Sequence, residues 1–400
     1  MNKVFLIILL LTYCGFSCAQ KSGGVINRKQ NVKKPGKVNN RISTSSKKKI
    51  YEYIYEFSNG LSKVELNGKN GYIDKNGKLV IPCKYDDAQS FEDSLAVTEY
   101  KGKWGIINTD GKEVTPFIYD LIDTRGYSEG MIRVKKDNKW GFVDKKGELI
   151  IPCKYDHVGM FSEGLAIAGI NGREGYIDKK GHVVIPFIYD DVSTFSEGVA
   201  YVIDANRHPF FIDKSGKEAI RLNYPYNDIY FFSEGLASCS KNGLFGFIDK
   251  SGREVINFKY GFVDDFKNGL AKVSLPGMTG KSGFIDKNGT EVVPCKYDAV
   301  DPFYEERAKV LSNRKWGFVD KNGREVIPCK YGCYDGFSEG LVPVELNGKW
   351  GYIDKNGKEI IPFIYDLANV FSEGIAPVKL NRKWGLINKE GDFIPLELPK

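Results

Sequence analysis

"NGKWGYIDKNGKEIIPFIYD", residues 347–366, is one of ten near-copies of a single phrase spread along a chain of 400 residues. Just before it Val342, Val344 and Leu346 alternate with other residues, and Asn347-Gly348 then marks a turn. A second apolar run follows at 350–354, and Asn356-Gly357 turns the chain into a third at 358–362. Asn-Gly between alternating apolar runs is a strong hairpin signal, because both residues tolerate positive φ at low cost. Pro362 reads as the end of the third strand, since it has no N–H to give to a ladder. "PFIYDLANVFSEG" then reads as the connection to the next unit. Each unit is expected to be a three-stranded β-meander.

Aligning the copies on the glycine after tryptophan gives Gly71, Gly105, Gly141, Gly175, Gly246, Gly283, Gly317, Gly351 and Gly385, with Phe210 in the slot of one further unit, at spacings of 34–37 residues. The slot after this glycine holds Tyr72, Phe142, Tyr176, Phe318, Tyr352 and other large apolar residues, and the next holds Ile or Val throughout. Successive residues of a strand point to opposite faces, so both faces of each meander are covered. A meander this small cannot stand alone; neighbours must stack and share a core. The fold class expected is all-β, an open, curved, solenoid-like array of about ten units with terminal units as caps. A closed, propeller-like ring is the alternative, less favoured because propellers usually have four to eight blades of four strands.

These blocks, "KWG[YF][IV]D" followed by "NGK", "IP…YD" and "FSEGLA", resemble the bacterial WG-repeat family, also called KWG repeats. The resemblance covers about residues 51–398. It implies a β-rich repeat array. The unit at 203–230 departs from it, with "NRHPFFIDKSG" lacking Trp-Gly and "IRLNYPYND" replacing the "IP…YD" block, so local stacking is expected to break there.

The net charge of +7 is unevenly placed. Residues 1–50 contain eleven Lys and Arg and no Asp or Glu, which leaves −4 for the rest. The array therefore lacks the basic footprint that nucleic-acid binding needs. Residues 1–19 read as a signal peptide, with one lysine, an apolar run at 4–11 too short to span a bilayer, and then small residues. Two processing routes fit: cleavage before Gln20, or lipidation of Cys18 as in a lipoprotein. Both export the protein to the periplasm, cell surface or medium. Residues 20–50 read as a basic flexible linker and 51–400 as the array. Membrane contact is expected only through a lipid anchor or this basic tail.

All five tryptophans, Trp104, Trp140, Trp316, Trp350 and Trp384, share one repeat position. Other units place Asn70, Glu174, Pro209, Phe245 and Ser282 there, so the slot reads as the rim of the core. Trp316, Trp350 and Trp384 are either a ladder packed on its neighbours or an aromatic edge for sugar rings or peptide. Asp74, Asp144, Asp354 and their equivalents fit the first position of a turn, where the carboxylate accepts backbone N–H bonds; their spacing lacks the alternate ligands of a calcium loop, and no metal is expected.

Six cysteines lie beyond the leader. Cys83, Cys153, Cys295 and Cys329 occupy a slot that elsewhere holds Phe or Leu, so free buried thiols are expected. Cys329 with Cys333, or with Cys295, are the pairings to examine. His157, His182 and His208 form no ligand spacing. A catalytic site needs unlike residues in one place, whereas near-copies supply like residues in many. No catalytic residue, enzyme activity or cofactor is expected.

Binding is expected instead on the irregular insertions, at Arg207, His208, Tyr224 and Tyr226. The expected function is an exported, non-catalytic scaffold for macromolecular interaction, with protein, at the bacterial envelope. The alternative is a glycan- or peptidoglycan-binding protein using the Trp316, Trp350 and Trp384 edge.

Overall fold

The computed structural model describes residues 51–222, 226–277, 280–333 and 335–396. The chain divides into two units, Met1–Lys47 and Lys48–Lys400, and the fold below is that of the second. Cys18 and Tyr224, together with the leader and linker, lie outside the described residues.

All regular elements described are β-strands, arranged as ten small antiparallel sheets in chain order. Blade 1 shows the pattern: β1 (Tyr53–Ser58), β2 (Leu61–Leu66), β3 (Lys69–Asp74) and β4 (Leu79–Tyr85), hydrogen-bonded in that order. Each unit thus has four strands, not the three expected. The extra one comes from the presumed connection, which supplies the first strand of the next blade, as short as Asp87–Ala88 in blade 2. Blade 9 has three strands, with a single bridge between Gly332 and Glu345 where the first would be. The proline does not end its strand either: Glu359–Tyr365 runs through Pro362, which is exposed on the outer edge where no ladder needs its N–H.

The invariant-looking glycine has a steric cause. In blade 3, Trp140 pairs with Tyr155 and Phe142 with Ile151, so the fourth strand uses four steps where the third uses two. This bulge lays the fourth strand across Gly141. A Cβ there would meet the Ile151 carbonyl oxygen at 2.3 Å and the Cys153 nitrogen at 2.8 Å. Gly71 and Gly317 are crowded in the same way, at 2.5 and 2.4 Å from the equivalent oxygens. Blade 5 explains its own exception: its fourth strand is only Glu218–Ile220, and among the described residues its ladder to the third strand stops at Phe211 and does not reach Phe210. The stacking is nonetheless unbroken there, because Ser196 Oγ still bonds the Phe232 carbonyl of blade 6 at 2.7 Å.

The core lies between blades. Tyr176, Ile185 and Tyr189 of blade 4 pack with Val192, Phe195, Ala200, Val202 and Ile212 of blade 5. Both repeat slots read as buried are so, Tyr352 and Ile353 each at 0% exposure. The Tyr352 hydroxyl donates to the Asn369 carbonyl of the next blade at 2.7 Å, which satisfies its polar end.

The same interface joins the two ends. Ile375, Trp384 and Leu386 of blade 10 pack with Tyr51, Ile54, Phe57 and Val64 of blade 1. Ser372 Oγ donates to the Phe57 carbonyl at 2.6 Å, and Trp384 Nε1 to the Glu52 carbonyl at 3.0 Å. The array is therefore a closed ten-bladed ring, the propeller-like alternative rather than the open one. Terminal caps are unnecessary because the ends cap each other.

Gly141→Ala is expected to destabilise the ring by about 1–3 kcal/mol through overpacking against the fourth strand, whereas Phe210→Gly relieves no clash and loses only the packing of one half-buried ring. Urea titrations of both variants against the wild type check this.

Candidate functional site

Neighbouring blades are stapled at the turn between their first and second strands. In "FSEG" the Glu and Gly both take positive φ, 53° at Glu163 and 86° at Gly164. A non-glycine residue there costs some conformational energy, and the carboxylate offsets it. Glu163 accepts from Gly198 N–H of the next blade at 3.1 Å and pairs with Lys214 at 3.0 Å. Glu373 does the same across the ring closure, with Gly60 N–H at 3.0 Å and Lys75 at 3.0 Å. The other face has its own staple. Asp366 pairs with Lys349 of blade 9 at 2.7 Å and accepts from Arg382 N–H of blade 10 at 2.7 Å.

Two populations of carboxyl groups result. Burial works against Glu373, but the Lys75 ammonium and the Gly60 and Asn59 N–H groups hold its carboxyl below the usual range; Glu129, Glu234 and Glu305 are lowered in the same way. Glu56, on the first strand of blade 1, shows the reverse. Burial, and secondarily the charge of Asp335, push the Glu56 carboxyl up. Glu56 is on blade 1 and Asp335 precedes the second strand of blade 9, with blade 10 between them. Only the inner edge of a ring brings non-adjacent blades within electrostatic reach, so the first strands line the inner edge.

The two residues before the phenylalanine sit on this edge in nine blades; blade 3 has the half-buried Tyr127 in its place. The frame repeats but these pairs do not: Tyr55-Glu56, Gln89-Ser90, Gly159-Met160, Ser193-Thr194, Tyr230-Phe231, Asp264-Asp265 and Asn369-Val370. Tyr230 and Phe231 are 47% and 44% exposed. In blade 7, burial first and the Asp264 charge second push the Asp265 carboxyl up to about 6. The two aspartates line a cavity of about 330 Å³ with Phe266, Phe284 and Phe303. A half-buried carboxyl with raised titration beside a cavity, next to the exposed Asp264, marks a candidate binding site.

The residues singled out from the sequence fall elsewhere. Trp350 and Trp384 are 6% and 7% exposed, and the half-buried Trp316 has the Lys309 ammonium 4.3 Å from its ring centroid. The expected aromatic edge is thus corrected: its faces are taken by protein. Tyr226 is also a core residue, stacked on Phe258 with centroids 5.5 Å apart. It occupies the "YD" tyrosine position after a local insertion, which its irregular surroundings concealed. Arg207 and His208 are exposed in a hairpin turn, where Asp204 accepts from His208 N–H at 2.8 Å. The structure does not bring them together with the tryptophans.

The turn aspartates behave as read: Asp354 accepts from Asn356 and Lys358 N–H, both at 2.9 Å. All six described cysteines are free. His157 meets Glu174, the residue in the tryptophan slot of its blade, at 3.1 Å. The inner edge was missed from the sequence, although "DDFKNG" in place of an "FSEG" block was its available signal.

The description "WG containing repeat" matches residues 48–69, 71–104, 104–140, 140–173, 175–204, 210–245, 245–275, 283–316, 316–350 and 350–384. The chain belongs to the WG-repeat family. No curated protein matches it in sequence. Among solved structures, this WG-repeat ring is similar to a eukaryotic initiation factor, with 11% identity, a TM-score of 0.48, and coverage of 88% of this chain and 96% of that one. It is also similar to the dihydro-heme d1 dehydrogenase NirN, at 13% identity, a TM-score of 0.36 and coverage of 77% and 74%. Hsv2 of Kluyvelomyces marxianus follows at 10%, 0.34, and coverage of 58% and 92%. At these scores the likenesses carry nothing about chemistry.

Opposite pH dependences are expected from the two carboxyl populations. Glu373 titrates lower in the folded state than its ordinary 4.5. Its contribution is complete above that value and lost as pH falls through the folded one. Glu373→Gln should therefore cost up to about 1 kcal/mol at pH 7 and less in acid. Asp265 titrates higher in the folded state, so its charge penalises folding fully above about 6 and not below its ordinary 3.8. Asp265→Asn should raise the melting temperature at pH 7.5, with the gain vanishing near pH 4. Thermal melts of both variants across this range test the assignment.

Proposed function

We propose that this WG-repeat chain is an exported, non-catalytic scaffold that holds a protein partner at the bacterial envelope through the inner edge of its ring. The observation that carries this reading is that unlike residue pairs occupy the same inner position on successive blades of one stapled frame. The side chains of the inner pairs change from blade to blade, and a rigid scaffold presenting dissimilar side chains is what selective recognition requires. Export is supported by the leader at residues 1–19, followed by either cleavage before Gln20 or lipidation at Cys18.

The test uses the full chain with its own leader, expressed in a bacterium, with a photo-crosslinking residue at Ser90, Thr194 or Val370 on the inner edge, or at Ile188 on the outer strand. Fractionation is expected to place the protein outside the cytoplasm. Discrete protein adducts should form from the inner positions and not from Ile188. Adducts from Ile188 alone, none from any position, or retention in the cytoplasm would overturn the reading.

A further inference from the structure

The seam between blades 7 and 8 is built differently from its neighbours. At the seam before it, Ser233 Oγ donates to the Phe266 carbonyl at 2.7 Å, and Glu234 accepts from Gly269 N–H at 3.0 Å and pairs with Lys287 at 3.1 Å. After Phe266 the chain has Lys267-Asn268 where most blades have Ser-Glu. Among the described residues, neither makes the bond to blade 8 that Ser and Glu make elsewhere. Lys321 of blade 8, the equivalent of Lys287, pairs with Glu306 of its own blade at 3.5 Å instead. The seam keeps the staple on its other face, where Asp298 pairs with Lys281 and accepts from Asn313 N–H at 2.9 Å, and the cavity of about 330 Å³ lies where the Ser-Glu staple is missing.

Its chemistry is uneven. Phe266, Phe284 and Phe303 form much of the wall, the last two with ring centroids 5.0 Å apart. Asp264 is exposed and has the charge of Lys272 nearby, and Lys267 lines the same cavity. Asp265 has Ser238 Oγ at 3.4 Å and otherwise faces the like charge of Asp264. Tyr230, on the adjacent blade and exposed beside Phe231, senses the charge of Asp265.

We propose that this cavity receives one cationic side chain, an arginine or lysine, from the protein partner, with Asp265 and Asp264 holding its charge and the phenylalanine rings flanking its apolar stem. A carboxylate pair that repels itself in a half-dry site gains most from a cation. Aromatic faces favour an organic cation, through cation–π attraction and contact with the methylenes, whereas phenyl rings are poor ligands for a hard metal ion. A neutral ligand would leave the Asp264–Asp265 repulsion in place. The volume suits a single side chain rather than a folded segment. The inference rests on the scaffold reading above and specifies what the partner must present.

The probe is N-acetyl-L-argininamide, titrated into the full chain by NMR at low salt, with the neutral citrulline analogue as control. The arginine derivative should bind saturably and the citrulline analogue should not. Asp265→Asn should weaken binding about tenfold, the loss expected for one charged hydrogen-bonding partner. Lowering pH from 7.5 to 5 should weaken it in the wild type and not in Asp265→Asn.

Lys272→Met removes the competing ammonium and should tighten binding, a gain that misfolding cannot mimic. Equal binding of the citrulline analogue, or an arginine affinity indifferent to Asp265→Asn and Lys272→Met, would overturn the inference. Loss of the probe result with inner-edge crosslinks intact would remove this site alone. Loss of the crosslinks with probe binding intact would remove the scaffold reading and leave a small-cation site.

Discussion

Each blade depends on its neighbours to cover both its faces. A sheet of four short strands buries too little on its own, and here every blade lays one apolar face on the blade before it and the other on the blade after. Tyr176 and Ile177 make the point within one strand: the first packs with blade 5, the second with blade 3. An open stack would leave two such faces in water. Ring closure removes both, and the seam between Leu386 and Val64 is chemically the same as any internal one.

Within that constraint the repeat divides its residues by task. The glycine after tryptophan admits the bulge of the fourth strand; Phe210, where the fourth strand stops short, is the exception that identifies the cause. Tyrosine and phenylalanine fill the wedges. Glutamate accepts a strained backbone position because its carboxylate ties two blades together. Glu373, with such partners, is held low, and Glu56 and Asp265 on the inner edge are pushed up, whereas Asp301 on the same edge pairs with Lys309 at 2.9 Å. The charge of the inner edge thus changes from blade to blade.

Much of this was legible in the residues. The turn pairs, the alternating runs, the unit count, the two buried slots and the turn role of Asp354 all follow from patterns spanning a few residues, and the family resemblance rests on the same blocks. The first strand of each blade was not legible, because two residues such as Asp87–Ala88 show no period. For tryptophan the sequence left a packed ladder and an aromatic edge both open, and the packed one holds; the slot is identical in sequence, yet Trp350 is buried while Trp140 is half-buried.

The sequence by itself determined an all-β chain of ten meanders with known buried faces, since hydrophobic period and turn chemistry are local properties. Closure, the inner edge and the cavity were decided only in three dimensions. Repetition of one interface says that units stack, but whether the stack closes depends on a small rotation per blade, accumulated over the whole array. The cavity lies where one seam lacks the Ser-Glu staple, and the departure in "DDFKNG" acquires meaning only once the bond that Ser and Glu make elsewhere is seen.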